Sequence, residues 1–375
     1  MDYKKEIARL VADKAGMDAG ELESFLETPP QPEMGDYALP CFKLAKILRK
    51  PPQAIAASLA GEIEAPAFIS RIENAGGYLN FFIDRLSRAK DVLTRIAAQG
   101  ESFGSSLEGK GKTICIDYSS INIAKKCHIG HLTTTALGHS LYRLYQFLGY
   151  KCVGINHLGD WGTQFGKLIC AYKLWGSREA VEEKGIDELV ELYVRFNQEA
   201  DEHMEDEARA WFKKIEDDDP EAMELFTWFK DITLRDVARI YDLLGITFDS
   251  YAGESFYKDK WQAVVAELKE KGLLRESEGA QVVMLDEYDM PPCIIIKKDG
   301  ASLYSTRDIA AAIYRKQEYD FYKCLYVVAY QQTLHFKQVF KVLELMGRPW
   351  AKDLVHVPFG MVSFEGQTLS TRKGQ

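Results

Sequence analysis

The sequence predicts an α/β protein built on a doubly wound parallel sheet, with a small α+β domain ahead of it and a mostly helical insertion inside it. Three observations carry that prediction. Apolar runs at residues 113–116, 152–155 and 324–328 have the length and flanks of buried strands. Between the first two, Leu132, Leu137, Leu141, Leu144, Phe147 and Leu148 recur at roughly helical spacing. Turn residues and His128-Ile129-Gly130-His131 lie between the first strand and that helix. Strand, loop, helix, strand is the first unit of a doubly wound domain. Nucleotides bind such sheets at the carboxyl ends of the strands, against a helix N-terminus.

Residues 1–85 read as the small domain. Helices are expected over 2–15, 42–48 and 51–64, with residues 35–40 as a turn before the second of them. Residues 68–72 and 78–83 alternate like strands around Gly76-Gly77. Lys43, Lys46, Arg49 and Lys50 give basic character, and Tyr78 and Phe81 offer stacking faces for nucleic acid. The plainer alternative is a solvated helix face and core aromatics. Residues 86–112 read as a helix and then a linker carrying Gly100, Gly104, Gly109 and Gly111.

Residues 113–176 form the first half of the main domain. Residues 177–290 are the insertion, with helical patterns over 180–216 and 221–244. Pro220 sits where a helix start tolerates it. Glu216-Asp217-Asp218-Asp219 invites a metal reading, but an acidic loop entering a helix explains it more simply. Tyr193, Phe196, Trp211, Phe212, Phe226, Trp228 and Phe229 read as core stripes. A helix over 260–275 and a strand over 281–285 close the insertion. Residues 291–375 complete the main domain, with strands near 293–297, 324–328 and 354–357 and helices running through 315 and 345.

Composition narrows the class. Apolar content of 46% and charged content of 27% fit a soluble globular protein. No apolar run reaches membrane-spanning length, and the charged amphipathic N-terminus lacks a signal-peptide core, so no membrane partner is expected. Seven cysteines without paired or zinc-type spacing suggest free thiols in a reducing compartment, hence the cytoplasm. The net charge of −9 argues against non-specific nucleic-acid binding by the whole surface, while allowing a local basic groove.

His-x-Gly-His at a strand-to-helix junction has a definite chemistry. Gly130 lacks a Cβ, so a flat ring or a phosphate can approach the backbone. His128 and His131, three residues apart at a helix start, point the same way and can donate to phosphoryl oxygens. The helix N-terminus adds positive potential.

The flanks carry a family resemblance. Asp117-Tyr118-Ser119-Ser120-Ile121-Asn122-Ile123-Ala124-Lys125-Lys126, running into His128-Ile129-Gly130-His131, resembles the strand-to-helix signature of the arginyl-tRNA synthetases. So does Asn156-His157-Leu158-Gly159-Asp160-Trp161-Gly162-Thr163-Gln164-Phe165-Gly166. The resemblance extends over essentially all 375 residues. It implies a Rossmann-type catalytic domain of class I and an N-terminal domain contacting the outer corner of tRNA near the D-loop. The closing Ser370-Thr371-Arg372-Lys373-Gly374 resembles the family's degenerate form of the mobile Lys-Met-Ser-Lys loop. Thr368 and Thr371 stand where the general signature has lysines, and Lys125 is the residue that compensates in many members. Family members continue into a helical anticodon-binding domain, which is expected to be absent from this truncated chain.

The implied reaction joins L-arginine to tRNA(Arg) through an arginyl-adenylate, with ATP as substrate. Mg²⁺ is expected to come with ATP, held mainly by phosphates and water; no protein-held metal is expected. A monomer is expected. By residue match, His128, Gly130 and His131 contact ATP, together with Ser370, Arg372 and Lys373 of the final loop, and Lys125 balances pyrophosphate charge. Arginine recognition needs carboxylates that fit the guanidinium fork. Asp117 and Asp308 are the candidates, with Tyr304 and Gln332 completing the pocket and Asn122 and His157 at the α-amino and carboxylate end. Asp117 stands where the family commonly has the longer Glu. Without the family match, Asp308 reads as a helix N-cap before Ile309. Two rivals remain: another His-x-Gly-His nucleotidyltransferase, and a non-catalytic tRNA-binding or assembly fragment.

Overall fold

The computed structural model describes residues 2–298, 300–364 and 367–368. Ser370, Arg372 and Lys373, expected at the ATP site, lie outside the described residues. The chain divides into two compact units, Met1–Gly104 and Ser105–Gln375.

The first unit holds helices α1 (Tyr3–Ala15), α2 (Ala19–Phe25), α3 (Phe42–Leu48), α4 (Pro52–Glu62) and α5 (Arg85–Gln99). Its strands are β1 (Tyr37–Pro40), β2 (Ile69–Ala75) and β3 (Tyr78–Ile83), in an antiparallel sheet of order β1-β3-β2. β1 replaces the turn expected over residues 35–40. It is an edge strand that ends at Pro40, where a missing N–H costs the ladder little. Gly35, at φ 104°, turns the chain into it, and the flanking Gly and Pro obscured so short a strand. Phe81 is fully buried, which settles it as core rather than a stacking platform. Tyr78 meets Phe42 edge-on at 4.9 Å. Lys43, Lys46, Arg49 and Lys50 are exposed.

The second unit opens with β4 (Thr113–Asp117), α6 (Ile129–Phe147) and β5 (Lys151–Ile155). Helices α7 (Thr163–Trp175), α8 (Arg178–Lys184), α9 (Ile186–Glu199), α10 (Glu202–Glu216), α11 (Pro220–Leu244) and α12 (Trp261–Glu270) follow. A three-stranded antiparallel sheet comprises β6 (Leu274–Ser277), β7 (Ala280–Val283) and β8 (Cys293–Ile296). Then come α13 (Tyr304–Tyr319), β9 (Lys323–Ala329), α14 (Thr333–Leu345), β10 (Leu354–Phe359) and the short pair β11 (Ser363–Phe364) and β12 (Gln367–Thr368).

The helix expected over 260–275 ends early. Gly272, at φ 66°, takes the left-handed conformation that stops a helix, and β6 begins two residues later. The insertion pattern over 180–216 resolves into three helices, broken at Gly185 (φ 60°) and capped anew by Asp201, which accepts from Met204 N–H at 2.8 Å. Asp219 caps α11 by accepting from Ala222 N–H at 3.0 Å, and Pro220 occupies its first turn. The acidic run is therefore a loop and a cap.

The main sheet is parallel throughout, in the order β10-β9-β4-β5. Strand order reverses between β4 and β9, the switch point of a Rossmann-type fold. Alternation along β4 sends Ile114 and Ile116 into one core and Cys115 into the other. The first core packs against α7 and α9–α11, including Phe196, Phe226 and Phe229. The second packs against α12–α14. With both faces covered, the strands read as continuous apolar runs, which is why the sequence revealed them.

Candidate active site

The carboxyl ends of β4, β5 and β9 release the segments that carry the expected residues. Asp117 ends β4, Asn156 and His157 follow β5, and the turn Tyr330–Gln332 follows β9.

His128 is the N-cap of α6, and the two signature histidines complete a reciprocal capping box. Gly130 N–H donates to His128 Nδ1 at 3.1 Å, and His128 N–H donates to His131 Nδ1 at 3.3 Å. Each Nδ1 is therefore an acceptor, so each neutral ring carries its proton on Nε2. The ring centroids lie 3.9 Å apart. Burial, then the Lys125 charge, lowers the His128 pKa. Burial, then His128 and Lys125, lowers that of His131 from 6.5 to about 4. The helix start thus presents neutral Nε2–H donors. A Cβ on Gly130 would meet His128 Cε1 at 2.9 Å, so the glycine also lets the His128 ring fold over the helix end.

The His131 shift has a testable pH consequence. Its folded pKa lies below its unfolded value, so the folded state binds fewer protons. The stability of the neutral form is fully present above the unfolded value of 6.5 and falls as pH drops from there towards about 4. In an NMR titration the His131 ring resonances are expected to stay constant from pH 8 down to about 5.5. A midpoint near 6.5 would contradict the buried, capped geometry.

The loop before the signature is pinned to the segment after β5. Asn122 bridges Gly159 in parallel register, two residues beyond His157. Ile123 N–H donates to Gly159 O at 3.2 Å and Gly159 N–H donates to Ile121 O at 2.8 Å. Any Cβ at Gly159 would lie 2.3 Å from Asn122 Oδ1. Asp160, fully buried, accepts from Lys230 Nζ at 2.6 Å, Ser255 N–H at 2.9 Å and Ser255 Oγ at 2.7 Å. This carboxylate ties the segment after β5 to α11 and to the loop carrying Glu254.

Two of the proposed arginine residues, Tyr304 and Asp308, are on α13. They lie one turn apart on the same face. α13 begins at Tyr304, so Asp308 is inside the helix and the N-cap alternative falls. Asp308 Oδ2 accepts from His335 Nε2 at 2.6 Å, while Oδ1 lies 3.8 Å from His157 Nε2. Burial pushes the Asp308 carboxyl up, but the hydrogen bond and charge of His335, with His157 and Arg315, outweigh it and hold the group below the ordinary carboxylate range. Tyr304 packs 4.8 Å from the His335 ring and is half exposed. Gln332 sits at the exposed N-cap of α14.

Asp117 differs from the expectation in having a partner inside the protein. Its carboxylate pairs with Arg315 Nη2 at 2.8 Å and accepts from Ser120 Oγ at 2.8 Å. Arg315 is 1% exposed and also donates through Nη2 to His157 Nδ1 at 3.3 Å. That bond fixes the His157 tautomer, leaving the proton on Nε2 towards Asp308. A second acidic group, not singled out from the sequence, is Glu254. It is paired with Arg307 at 2.8 Å. Burial raises its pKa against the pull of Arg307 and His157, and the Asp308 charge adds to the rise. Glu254 and Arg315 had no local signal: each depends on partners far away in the chain. Lys125 is exposed in the loop ahead of His128. Among the described residues, no group of three or more His, Cys, Asp or Glu side chains is placed to hold a metal ion.

Comparison with known proteins points the same way. The family model described as "tRNA synthetases class I (R), catalytic domain" matches residues 92–375. The one described as "Arginyl tRNA synthetase N terminal domain" matches residues 1–83. The curated "Arginine--tRNA ligase" of Clostridium botulinum (strain Alaska E43 / Type E3) is 56% identical over 377 residues, covering 100% of this chain and 67% of the relative. That of Clostridium perfringens (strain 13 / Type A) is 55% identical over 376 residues, covering 100% and 66%. The chain thus spans about two thirds of the length of these relatives. Solved arginyl-tRNA synthetases of Plasmodium falciparum and Thermus thermophilus match with TM-scores of 0.66 and 0.60, each at 23% identity. These matches cover 90% and 92% of this chain and 60% and 63% of theirs, a likeness of fold. With a His-x-Gly-His helix start beside the switch point of its sheet, and with both family models matched, this chain belongs to the class I arginyl-tRNA synthetase family.

Proposed function

We propose that this chain carries the centre for ATP-dependent ligation of L-arginine to its cognate tRNA. The observation that carries the reading is Asp308, a largely buried carboxylate held ionised between His157 and His335 and one helical turn from Tyr304. A guanidinium fits such a group in charge and fork geometry. Gln332 completes the pocket, while the nearby Glu254 has its charge balanced by Arg307. Asn122 and His157 hold the α-amino and carboxylate end. Asp117 acts through Arg315, which connects it to His157.

In the first step the arginine carboxylate attacks the α-phosphorus of Mg²⁺-bound ATP, and pyrophosphate leaves. In the second, the terminal ribose hydroxyl of tRNA attacks the activated carbonyl, and AMP leaves. No enzyme nucleophile is required. The chain contributes position and charge stabilisation. His128 and His131 donate from Nε2 to phosphoryl oxygens, the α6 N-terminus adds its dipole, and Lys125 balances pyrophosphate charge. Arg372, Lys373 and Ser370 are proposed to reach ATP from the final loop.

The exposed Lys43, Lys46, Arg49 and Lys50 support a tRNA contact by the first unit. Unpaired cysteines support a reducing compartment, proposed as the cytoplasm, and a monomer is proposed. No helix of the described residues is long and apolar enough to cross a membrane. The reading is tested by ATP–pyrophosphate exchange with tRNA(Arg) present. Exchange dependent on L-arginine is expected; none from a folded chain would contradict it.

A further inference from the structure

The loop that brings Asn122, Lys125 and His128 into place is backbone-strained. Ser119, Ser120 and Ala124 have φ of 71°, 47° and 58°, the left-handed region that side-chain-bearing residues avoid. Such conformations persist only where their surroundings over-determine them. Beside the backbone bonds to Gly159 that pin its middle, the two ends of the loop are held from α11 of the insertion.

Two hydroxyls on α11 grip the two ends of the loop. Thr233 Oγ1 donates to Phe229 O at 2.9 Å and accepts from Ala124 N–H at 3.1 Å. Tyr241 OH accepts from Asn156 Nδ2 at 2.9 Å, which leaves its own proton for Ser119 Oγ, 2.6 Å away. Ser119 Oγ lies 2.8 Å from Thr135 Oγ1, which donates to His131 O at 2.6 Å. All these side chains are buried: Thr233 is 2% exposed, Tyr241 3% and Ser119 2%. Eight residues of helix, about 12 Å, separate the two grips. Between them Ile121 and Ile123 plug the core and Asn122 is left exposed. None of these hydroxyls enters the mechanism above.

We propose that Thr233 and Tyr241 are positioning residues for arginine binding: they hold the Ser119–Ala124 loop in its left-handed conformation and so set Asn122, tying the helical insertion to the site. The proposal rests on the arginine reading above. Its test compares wild type with Thr233→Val, Thr233→Ser and Tyr241→Phe by two measurements at a temperature where all are folded. One is amide hydrogen exchange over residues 118–128; the other is L-arginine affinity by calorimetry. Thr233→Val and Tyr241→Phe are each expected to speed exchange in this loop, but not in β4 or β5, and to weaken arginine binding about tenfold. Thr233→Ser, which keeps the hydroxyl, is expected to restore both. If Thr233→Val does not fold, Tyr241→Phe carries the comparison, since it removes one oxygen and keeps the ring. Loop exchange and affinity equal to wild type would overturn the proposal, as would faster exchange with unchanged affinity. All titrations are run with tRNA(Arg) supplied, and a folded wild type that then binds no arginine overturns the arginine reading itself, whatever the variants do.

Discussion

Asp308→Ala is expected to abolish measurable arginine binding while leaving ATP binding intact. The Asp308 carboxyl is held ionised by His335 at 2.6 Å and by His157 beyond it, so on the proposed reading it would meet a guanidinium as a full charge. Truncating one member of a buried, hydrogen-bonded charge pair typically costs about 2–5 kcal/mol, roughly thirty- to several-thousand-fold in affinity. ATP is spared because its proposed contacts come from the α6 start and the final loop rather than from α13. Calorimetry with each ligand separately checks both halves. Unchanged arginine affinity in a folded variant would remove Asp308 from the pocket.

His131→Ala carries the second large effect. Its ring is buried at the α6 start, neutral, and fixed by His128 N–H so that Nε2 carries the proton. A donor preorganised in this way loses no free energy to reorientation as phosphate charge redistributes. Removing one such donor typically slows the chemical step about 10²-fold or more. The same substitution removes half of the capping box, so part of any loss would come from displacement of His128. Rapid-quench measurement of arginyl-adenylate formation at saturating ATP with tRNA(Arg) present reads the chemical step, and His128→Ala measured alongside gives the share that displacement of His128 can account for. A near-wild-type single-turnover rate would take His131 out of the mechanism.

The parts of the fold legible in the sequence were those governed by local rules. β4, β5 and β9 are buried on both faces, so they appear as unbroken apolar runs, and α11 shows its start through Asp219 and Pro220. β1 was hidden because an edge strand of four residues between Gly35 and Cys41 has the composition of a turn. At the site, the candidate residues within the two long signatures came from resemblance. What stayed hidden was long-range pairing. Asp117 looks available until the fold brings Arg315 to it, and Arg315 itself looks like any charged residue late in a surface helix. Thr233 and Tyr241 read as ordinary members of an amphipathic pattern, since nothing near them announces a strained loop more than a hundred residues earlier. Gly130 shows a related limit. Its need for an absent Cβ was foreseen for the ligand, yet the atom it first makes room for is His128 Cε1.

The central claim is that α13 and its neighbours form a pocket selective for a guanidinium. Its most direct test is calorimetric titration of this chain with L-arginine and, in parallel, with citrulline, in the presence and absence of ATP. Citrulline keeps the shape but replaces the charged fork with a neutral urea, leaving Asp308 buried against an uncharged group. The predicted result is saturable binding of arginine with citrulline weaker by at least about a hundredfold. Equal binding of the two, or no binding of either by a folded chain supplied with tRNA(Arg), would contradict the account.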